Sequence, residues 1–435
     1  MTSLTEQMPG RATLRRLWRS RLAANTLVMA GGTAGRLLLQ IALFIVVARL
    51  LGPADYGAFI GVTALVAIVS TFSGLACEIV LVKRVARDRT AFAEVFGHGL
   101  LLLLATAPIL TAISVAGALL FVGTAIDWRL VVLIALGDLL FLRIALLCAA
   151  CYQAFERVGW SAALHIGLGL CRLAAALLAV GTTAGLDLET WAAFYSGSAI
   201  VAAALSYLVV VRMLGAPRLC LLRDEISFGF HSSLQSALYF TLRDVDKPLL
   251  ARLAALEAAG IYAAAFRIAD AAIVPIRSLM YAAYASFFRH GAEGVGGSSR
   301  FALRLLPLAL AYGVLAGICI ELMPYAVPWI LGREYQAAGD ILMLFGMLPL
   351  LHAAYNIGGD ALTASGHQSA RSAAHLVGAG LMVVGCILLI PRYGAMGAAA
   401  ANVASHAALA ATTWALVLWH RRRDAAPSDA VRQTI

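Results

Sequence analysis

Residues 98–122, HGLLLLLATAPILTAISVAGALLFV, run for 25 positions without an Asp, Glu, Lys or Arg. A helix of that length rises roughly 37 Å at 1.5 Å per residue, enough to cross the ~30 Å hydrocarbon layer of a bilayer. Backbone polar groups in lipid must be satisfied within the protein, which leaves a helix or a closed barrel. A barrel strand alternates polar and apolar residues over about ten positions, and this stretch does not alternate. The segment reads as a membrane-spanning helix. The rest of the chain follows it: 62% of the 435 residues are hydrophobic, 13% are charged, and the mean hydropathy is +0.87. Soluble domains carry roughly 25% charged residues, so a water-soluble enzyme is excluded.

Breaking the apolar runs at charges, Pro and Gly predicts twelve helices: 26–48, 57–77, 98–122, 130–152, 161–182, 190–211, 230–251, 260–285, 303–323, 338–362, 372–390 and 395–418. The fold class is an all-α integral membrane protein. The first run contains Arg36 and is too long for the apolar core of a cleaved signal. The formal charge of +10 sits in short loops, which points to membrane topology and not to nucleic acid. With the N-terminus inside, 21 of the 33 Lys and Arg residues fall on the cytoplasmic side, 5 outside and 7 within the spans. That asymmetry and the even number of spans set both termini of a multi-pass membrane protein in the cytoplasm. Trp128, Trp160, Trp191, Trp329 and Trp419 fall at predicted helix ends and read as interfacial anchors. Residues 11–22, with five arginines around Leu14, Leu17 and Trp18, read as a helix lying on the anionic inner surface. Cys148 and Cys151 form a Cys-x-x-Cys inside an apolar run, without a second pair or a nearby His, and read as packing residues.

The chain looks duplicated. Ala48-Arg49-Leu50 and Ala251-Arg252-Leu253 lie 203 apart, Tyr56-Gly57-Ala58 and Tyr262-Ala263-Ala264 lie 206 apart, and Gly167-x-Gly169 and Gly378-x-Gly380 lie 211 apart. The expected organisation is an N-terminal segment 1–25, a six-helix bundle 26–212, a linker 213–229, a second bundle 230–420 and a tail 421–435. Six is even, so the two bundles insert alike and face each other across a central cavity.

Charges within the spans carry the functional reading, because each costs about 2.5–3.5 kcal/mol to insert. The cations are Arg36, Arg143, Arg172, Arg243, Lys247, Arg267 and Arg277; the deep acids are Asp138, Asp244, Asp246, Asp270 and Glu321. Local spacing suggests pairing of Arg243 or Lys247 with Asp244 or Asp246, of Arg267 with Asp270, and of Arg143 with Asp138. Arg36 and Arg172 have no local partner, and two positive charges are left over. Arg36 and Gln40 share a helix face, as do Arg243 and Lys247, and as do Arg267, Asp270, Arg277, Tyr281 and Tyr284. Guanidinium groups at mid-membrane suit a phosphate or carboxylate, which they grip bidentately. The eight candidate binding residues are thus Arg36, Gln40, Arg143, Arg172, Arg243, Lys247, Arg267 and Arg277. Asp246 and Asp270 are candidates for a proton-coupling carboxylate, set against the simpler reading that they neutralise Lys247 and Arg267. His165, His231, His375 and His406 read as single packed residues. No nucleotide-binding Gly-x-x-x-x-Gly-Lys loop and no metal-ligand spacing is present, so an ATP-driven pump on this chain is excluded and no cofactor is expected.

Several stretches carry a family likeness: ARLLGPADYGAF (48–59), FSGLACEIVLVKRVA (72–86), YQAFER (152–157), DKPLLARLAALEAAGIYAAAFRIAD (246–270) and YGAMGAAAANVASH (393–406). They resemble the polysaccharide transporter family, the O-antigen and exopolysaccharide flippases of the multidrug/oligosaccharidyl-lipid/polysaccharide exporter superfamily. The resemblance implies two six-helix bundles around a cationic cavity and passage of an undecaprenyl-diphosphate-linked glycan from cytoplasm to periplasm. It further implies membrane lipids, a polysaccharide polymerase, a chain-length regulator and a coupling proton or sodium ion as partners. The Asp-Arg frequent near the end of helix 7 in that family stands here as Asp246-Lys247. A cation-coupled multidrug exporter, which would favour an acidic or aromatic cavity, and a membrane-embedded polymerase or acyltransferase are the competing classes. Topology is directly testable: Cys220 and the variants Arg87→Cys and Ala425→Cys are expected to label from the cytoplasm, and Ile126→Cys and Ala255→Cys from outside. Labelling of position 87 from outside would invert the scheme.

Overall fold

The computed structural model describes residues 21–121, 126–182, 187–292 and 294–425, and within them the regular structure is entirely helical. The expected surface helix at 11–22 and most of the tail lie outside the described residues. Nine helices in the described residues are long and apolar enough to cross a membrane. Two of these nine contain a break. Helix Arg21–Ser70 bends at Gly52, φ 71° and ψ 172°, and Gln368–Ala425 bends at Gly394, φ 55° and ψ −132°. Glycine accepts such positive φ without a Cβ clash, and Pro53 and Pro391 beside the breaks lack the N–H that would continue the ladder. The stretch 223–253 falls outside the nine because it is studded with charge.

Dividing the two broken helices and adding the polar one gives α1 (21–51), α2 (53–85), α3 (Phe92–Phe121), α4 (Trp128–Ala154), α5 (Val158–Thr182) and α6 (Leu188–Leu214). The second set is α7 (223–253), α8 (Leu256–Gly291), α9 (Val295–Leu322), α10 (Ala338–Ala364), α11 (368–393) and α12 (395–425). The face where α1 begins and α12 ends is termed the terminal face. Asp127 and Asp187 cap α4 and α6 by accepting from the Arg129 and Thr190 amides, satisfying donors that a helix start leaves open.

Two helices depart from the straight spans expected. α2 was expected to end at 77; instead it runs to Val85 across a break in which Gly74, Leu75 and Ala76 all take positive φ (66°, 47° and 52°). Left-handed backbone at a non-glycine costs roughly 1–2 kcal/mol per residue, so neighbours must hold it. Gly74 N–H donates to Thr106 Oγ1 at 3.0 Å, and Ser73 Oγ donates to the Leu139 carbonyl at 2.5 Å. That carbonyl belongs to the second irregularity, a π-helical turn at Gly137–Leu142 inside α4. Trp191 is also not the interfacial anchor expected: it is 1% exposed, packed edge-on against Phe59, because its helix end is covered by α2.

The first six and last six helices meet at both faces. Away from the terminal face, α2 and α8 cross backbone to backbone: a Cβ on Gly57 would lie 1.8 Å from the Leu256 carbonyl, and one on Gly260 1.9 Å from that of Pro53. Tyr335 adds a hydrogen bond to the Ala48 carbonyl at 2.7 Å. Gly57→Ala and Gly260→Ala are each expected to destabilise the detergent-solubilised protein by about 1–3 kcal/mol, the cost of overpacking a close contact. Gly380→Ala, where the added methyl meets no atom within 4 Å, is expected to be neutral or stabilising in the same thermal unfolding assay. Equal effects at all three positions would remove the claim that this crossing requires glycine.

Candidate cleft between the helix sets

Inward of the α2–α8 crossing, α2, α4, α5, α6, α7 and α8 line a cavity of about 240 Å³. Its charged wall is Asp138, Arg172, Arg243, Asp244, Lys247 and Arg267, set among Ile60, Ala64, Phe240 and Phe266. A second cavity of about 130 Å³ shares Arg172, Tyr195 and Arg267 with the first and adds Gln40, Tyr56 and Trp191. The polar face of α7 is therefore tolerated in an apolar bundle because it lines open space.

Burial requires that the charges find partners, and most do so between helices. Arg172, expected to be unpaired, contacts Asp138 of α4 at 3.1 Å and donates to the Tyr195 hydroxyl of α6 at 2.9 Å. That hydroxyl donates in turn to Asp138 at 2.8 Å. Arg143 therefore does not pair with Asp138. It reaches across to Glu78 of α2 at 3.0 Å and touches the Ser73 carbonyl at 3.4 Å, bracing the left-handed break. Arg143 lines neither cavity. The expected Arg267–Asp270 pair is likewise replaced: Asp270 is held between Arg243, at 3.0 Å, and Arg277. Spacing along one helix misassigned these pairs because a buried carboxylate takes the nearest cation from any packed helix.

Lys247 takes the partners expected of it, Asp244 and Asp246, both at 3.0 Å. It also donates to the Arg243 carbonyl at 2.8 Å and lies 4.0 Å from the centre of the Phe266 ring. Asp246 is 0% exposed and lines neither cavity; its carboxylate accepts from Lys247, from the Tyr262 hydroxyl and from Asn402 Nδ2 at 2.9 Å. Five carboxylates thus serve five cations. Arg36 and Arg267 have no ion pair among the described residues, and both are exposed. Arg267 thus takes the place of Arg172 as a cation without a carboxylate, and Glu78 the place of Glu321 among the acids that serve these cations. Glu78, Tyr195 and Asn402 were not singled out from sequence: each acts across a helix interface, and no local pattern marks it.

At the terminal face the two helix sets are clasped by charge. Lys83 of α2 bonds Glu225 of α7 at 2.7 Å, and Arg84 bonds Glu225 at 2.8 Å and Asp224 at 3.1 Å. The Lys83 ammonium also sits 4.0 Å from the Phe228 ring centre. Burial raises the Glu225 carboxyl, but hydrogen bonds from Lys83 and Arg84 outweigh that and hold it below the ordinary glutamate value.

The family described as "Polysaccharide biosynthesis protein" matches residues 22–288. No curated protein matches the chain by sequence. Among solved structures, a multidrug resistance MATE family transporter of the MOP superfamily in its inward-facing conformation is similar at a TM-score of 0.73 and 16% identity, over 92% of this chain and 96% of that one. An outward-facing MATE family transporter gives 0.64 and 16%, over 97% and 99%. The lipid II flippase MurJ in an inward closed conformation gives 0.70 and 9%, over 90% and 87%. At these identities the likeness establishes a shared fold.

The clasp has a defined pH dependence. A carboxyl whose folded value is depressed stabilises above its unfolded value of about 4.3 and loses that contribution as pH falls through the lower folded value. Spin labels on Arg87→Cys and Ser227→Cys are expected to stay close at neutral pH and separate on acidification through that range. Glu225→Gln is expected to separate them already at neutral pH. An unchanged distance in the Gln variant would assign this contact to packing alone.

Proposed function

Because the chain belongs to the polysaccharide biosynthesis protein family and has the fold of MOP-superfamily transporters, we propose that it is a flippase for an anionic, lipid-linked glycan. One observation carries the substrate reading: in a membrane domain whose partly buried cations are matched by carboxylates, the more exposed Arg36 and Arg267 have none among the described residues. Arg267 stands in the wall of both cavities, and Arg36 lies one turn from Gln40, which lines the smaller. A diphosphate carries the charge to match two guanidiniums and the oxygens to accept from each bidentately.

On this reading the substrate is an undecaprenyl-diphosphate-linked repeat unit of an O-antigen, capsule or exopolysaccharide. It moves between the leaflets of a bacterial inner membrane and is consumed on the far side by a polymerase with its chain-length regulator. Alternating access needs one barrier at each face. The charged clasp of Lys83 and Arg84 with Asp224 and Glu225 supplies one, and the glycine crossing of α2 and α8 the other. Arg172, Arg243 and Lys247 line the larger cavity already paired, so they shape the field in the cleft and exchange partners only if substrate oxygens replace Asp138, Asp270 or Asp244. A multidrug exporter of organic cations fits poorly, since a surplus of arginine in the wall repels its substrate.

Arg36→Ala and Arg267→Ala are expected to lower surface glycan at least tenfold at normal protein level, the loss of a charge-assisted contact of about 1.5–3 kcal/mol. Arg→Lys at either position should restore part of the export, because charge returns without the bidentate fork. Arg143→Ala is expected to behave differently, reducing accumulation of the protein, since it braces the α2 break. Full export by both Ala variants would exclude the cleft arginines as substrate ligands.

A further inference from the structure

We infer, building on the lipid-linked glycan reading, that a pocket between α7 and α11 is a subsite for one uncharged sugar ring, the ring bonded to the diphosphate. Gln235 and Tyr239 of α7 and Gln368, Arg371, Ser372 and His375 of α11 line a cavity of about 150 Å³ at the start of α11, toward the terminal face. Pockets that enclose a drug-sized molecule hold roughly 300–1,000 Å³, so this one admits a single ring and not an oligosaccharide. Gln235 and Gln368 are exposed, which leaves the pocket open to a ligand.

The lining suits a neutral polyol. Arg371 donates to Asp360 at 2.9 Å and to Thr363 Oγ1 at 3.0 Å, so its charge is matched within the protein and an acidic ligand finds no unpaired cation here. His375 Nδ1 donates to the Arg371 carbonyl at 3.0 Å, which leaves Nε2 as an acceptor. Gln235 Nε2 donates to Ser372 Oγ at 3.2 Å, and the Gln368 side-chain oxygen accepts from Thr363 at 2.7 Å. Among the described residues the Gln235 oxygen, the Gln368 amide hydrogens and the Ser372 hydroxyl hydrogen then remain open. Sugar hydroxyls both donate and accept, so a wall that mixes donors and acceptors without net charge matches them. The Tyr239 ring adds a flat apolar surface for the C–H side of a pyranose.

The pocket adjoins the cleft. Gln235, Tyr239, Arg243 and Lys247 recur every four residues along one face of α7, a rise of about 6 Å per step. The first two line the pocket and the last two the larger cavity, whose wall also holds Arg267. Tyr239 meets the Arg243 side chain across that boundary, and the buried Arg243 Nε–H has no acceptor among the described residues. A phosphate beside Arg243 and a sugar beside Tyr239 would therefore be neighbours, as they are in a glycosyl diphosphate.

The full chain in lipid nanodiscs tests this by calorimetric titration with geranyl diphosphate, and with geranyl diphosphate carrying glucose, galactose, N-acetylglucosamine or glucuronic acid. At least one neutral sugar is expected to lower Kd about tenfold relative to geranyl diphosphate, the worth of one or two net hydrogen bonds. Gln235→Ala and Gln368→Ala, which alter exposed side chains, are each expected to cut that gain about fivefold, the loss of one neutral hydrogen bond. No gain from any sugar, or a gain that both variants keep, would overturn the subsite, while binding of geranyl diphosphate itself would leave the cleft reading intact. A glucuronosyl ligand that binds tighter than every neutral one would overturn the assignment of an uncharged ring. If geranyl diphosphate does not bind, the cleft reading fails. Methyl glycosides of the same sugars, followed by saturation-transfer NMR, then decide the subsite: it stands if their signal is lost in Gln235→Ala and falls if the signal persists.

Discussion

Charge neutralisation in a low-dielectric bundle organises this molecule. An ion inside the membrane is costly, and removing one member of a buried pair typically costs about 3–5 kcal/mol, so a pair formed between helices fixes which of them lie side by side. Glu78 and Arg143 join α2 to α4, and Asp138, Arg172 and Tyr195 join α4, α5 and α6. Asp270 joins α7 to α8, and Asp246 with Tyr262 and Asn402 joins α7, α8 and α12. Two charges not used in this way are then conspicuous. Arg267 meets the Tyr56 hydroxyl of α2 but no carboxylate among the described residues, and it lies in the wall of the central space.

The two faces are closed by opposite means. The clasp is electrostatic and partly exposed: the Lys83 and Arg84 side chains are 31% and 34% exposed, so water is at hand to receive the charges when they part. The Asp224 end is exposed and worth about 1 kcal/mol or less, whereas the Glu225 side chain is 7% exposed and must gain water as the cations leave. The α2–α8 crossing is steric, backbone on backbone, and its opening exposes peptide groups and apolar surface together.

How much of this was legible in the sequence varied with the range of the physics involved. Helix positions follow from hydropathy, a local quantity, and the positions of α3, α6 and α12 agree with expectation to within a few residues at most ends. The cation set was legible because an arginine in an apolar run is conspicuous on its own. Partnership was not: Arg172 finds Asp138 34 residues away and Arg143 finds Glu78 65 residues away, distances set by packing and not by helical spacing. His375 and His406 read as isolated for the same reason, since the stacking of His352 on His406 exists only once α10 and α12 are side by side. The left-handed break in α2 had a weak local mark in Gly74, but nothing in Leu75 or Ala76 announces positive φ.

That break and the π-helical turn of α4 adjoin, joined by the Ser73 hydrogen bond to Leu139, and they adjoin the cleft, since Asp138 and Leu142 belong to the turn and line the cavity. Irregular backbone at membrane depth survives only where protein or water satisfies it, and here Thr106, Arg143 and Ser73 do so. The other side of the break faces the last six helices: a Cβ on Gly229 of α7 would lie 2.2 Å from the Leu75 carbonyl, within one turn of Glu225 in the clasp. One strained segment therefore touches the terminal-face barrier through Leu75 and the cavity wall through Leu139.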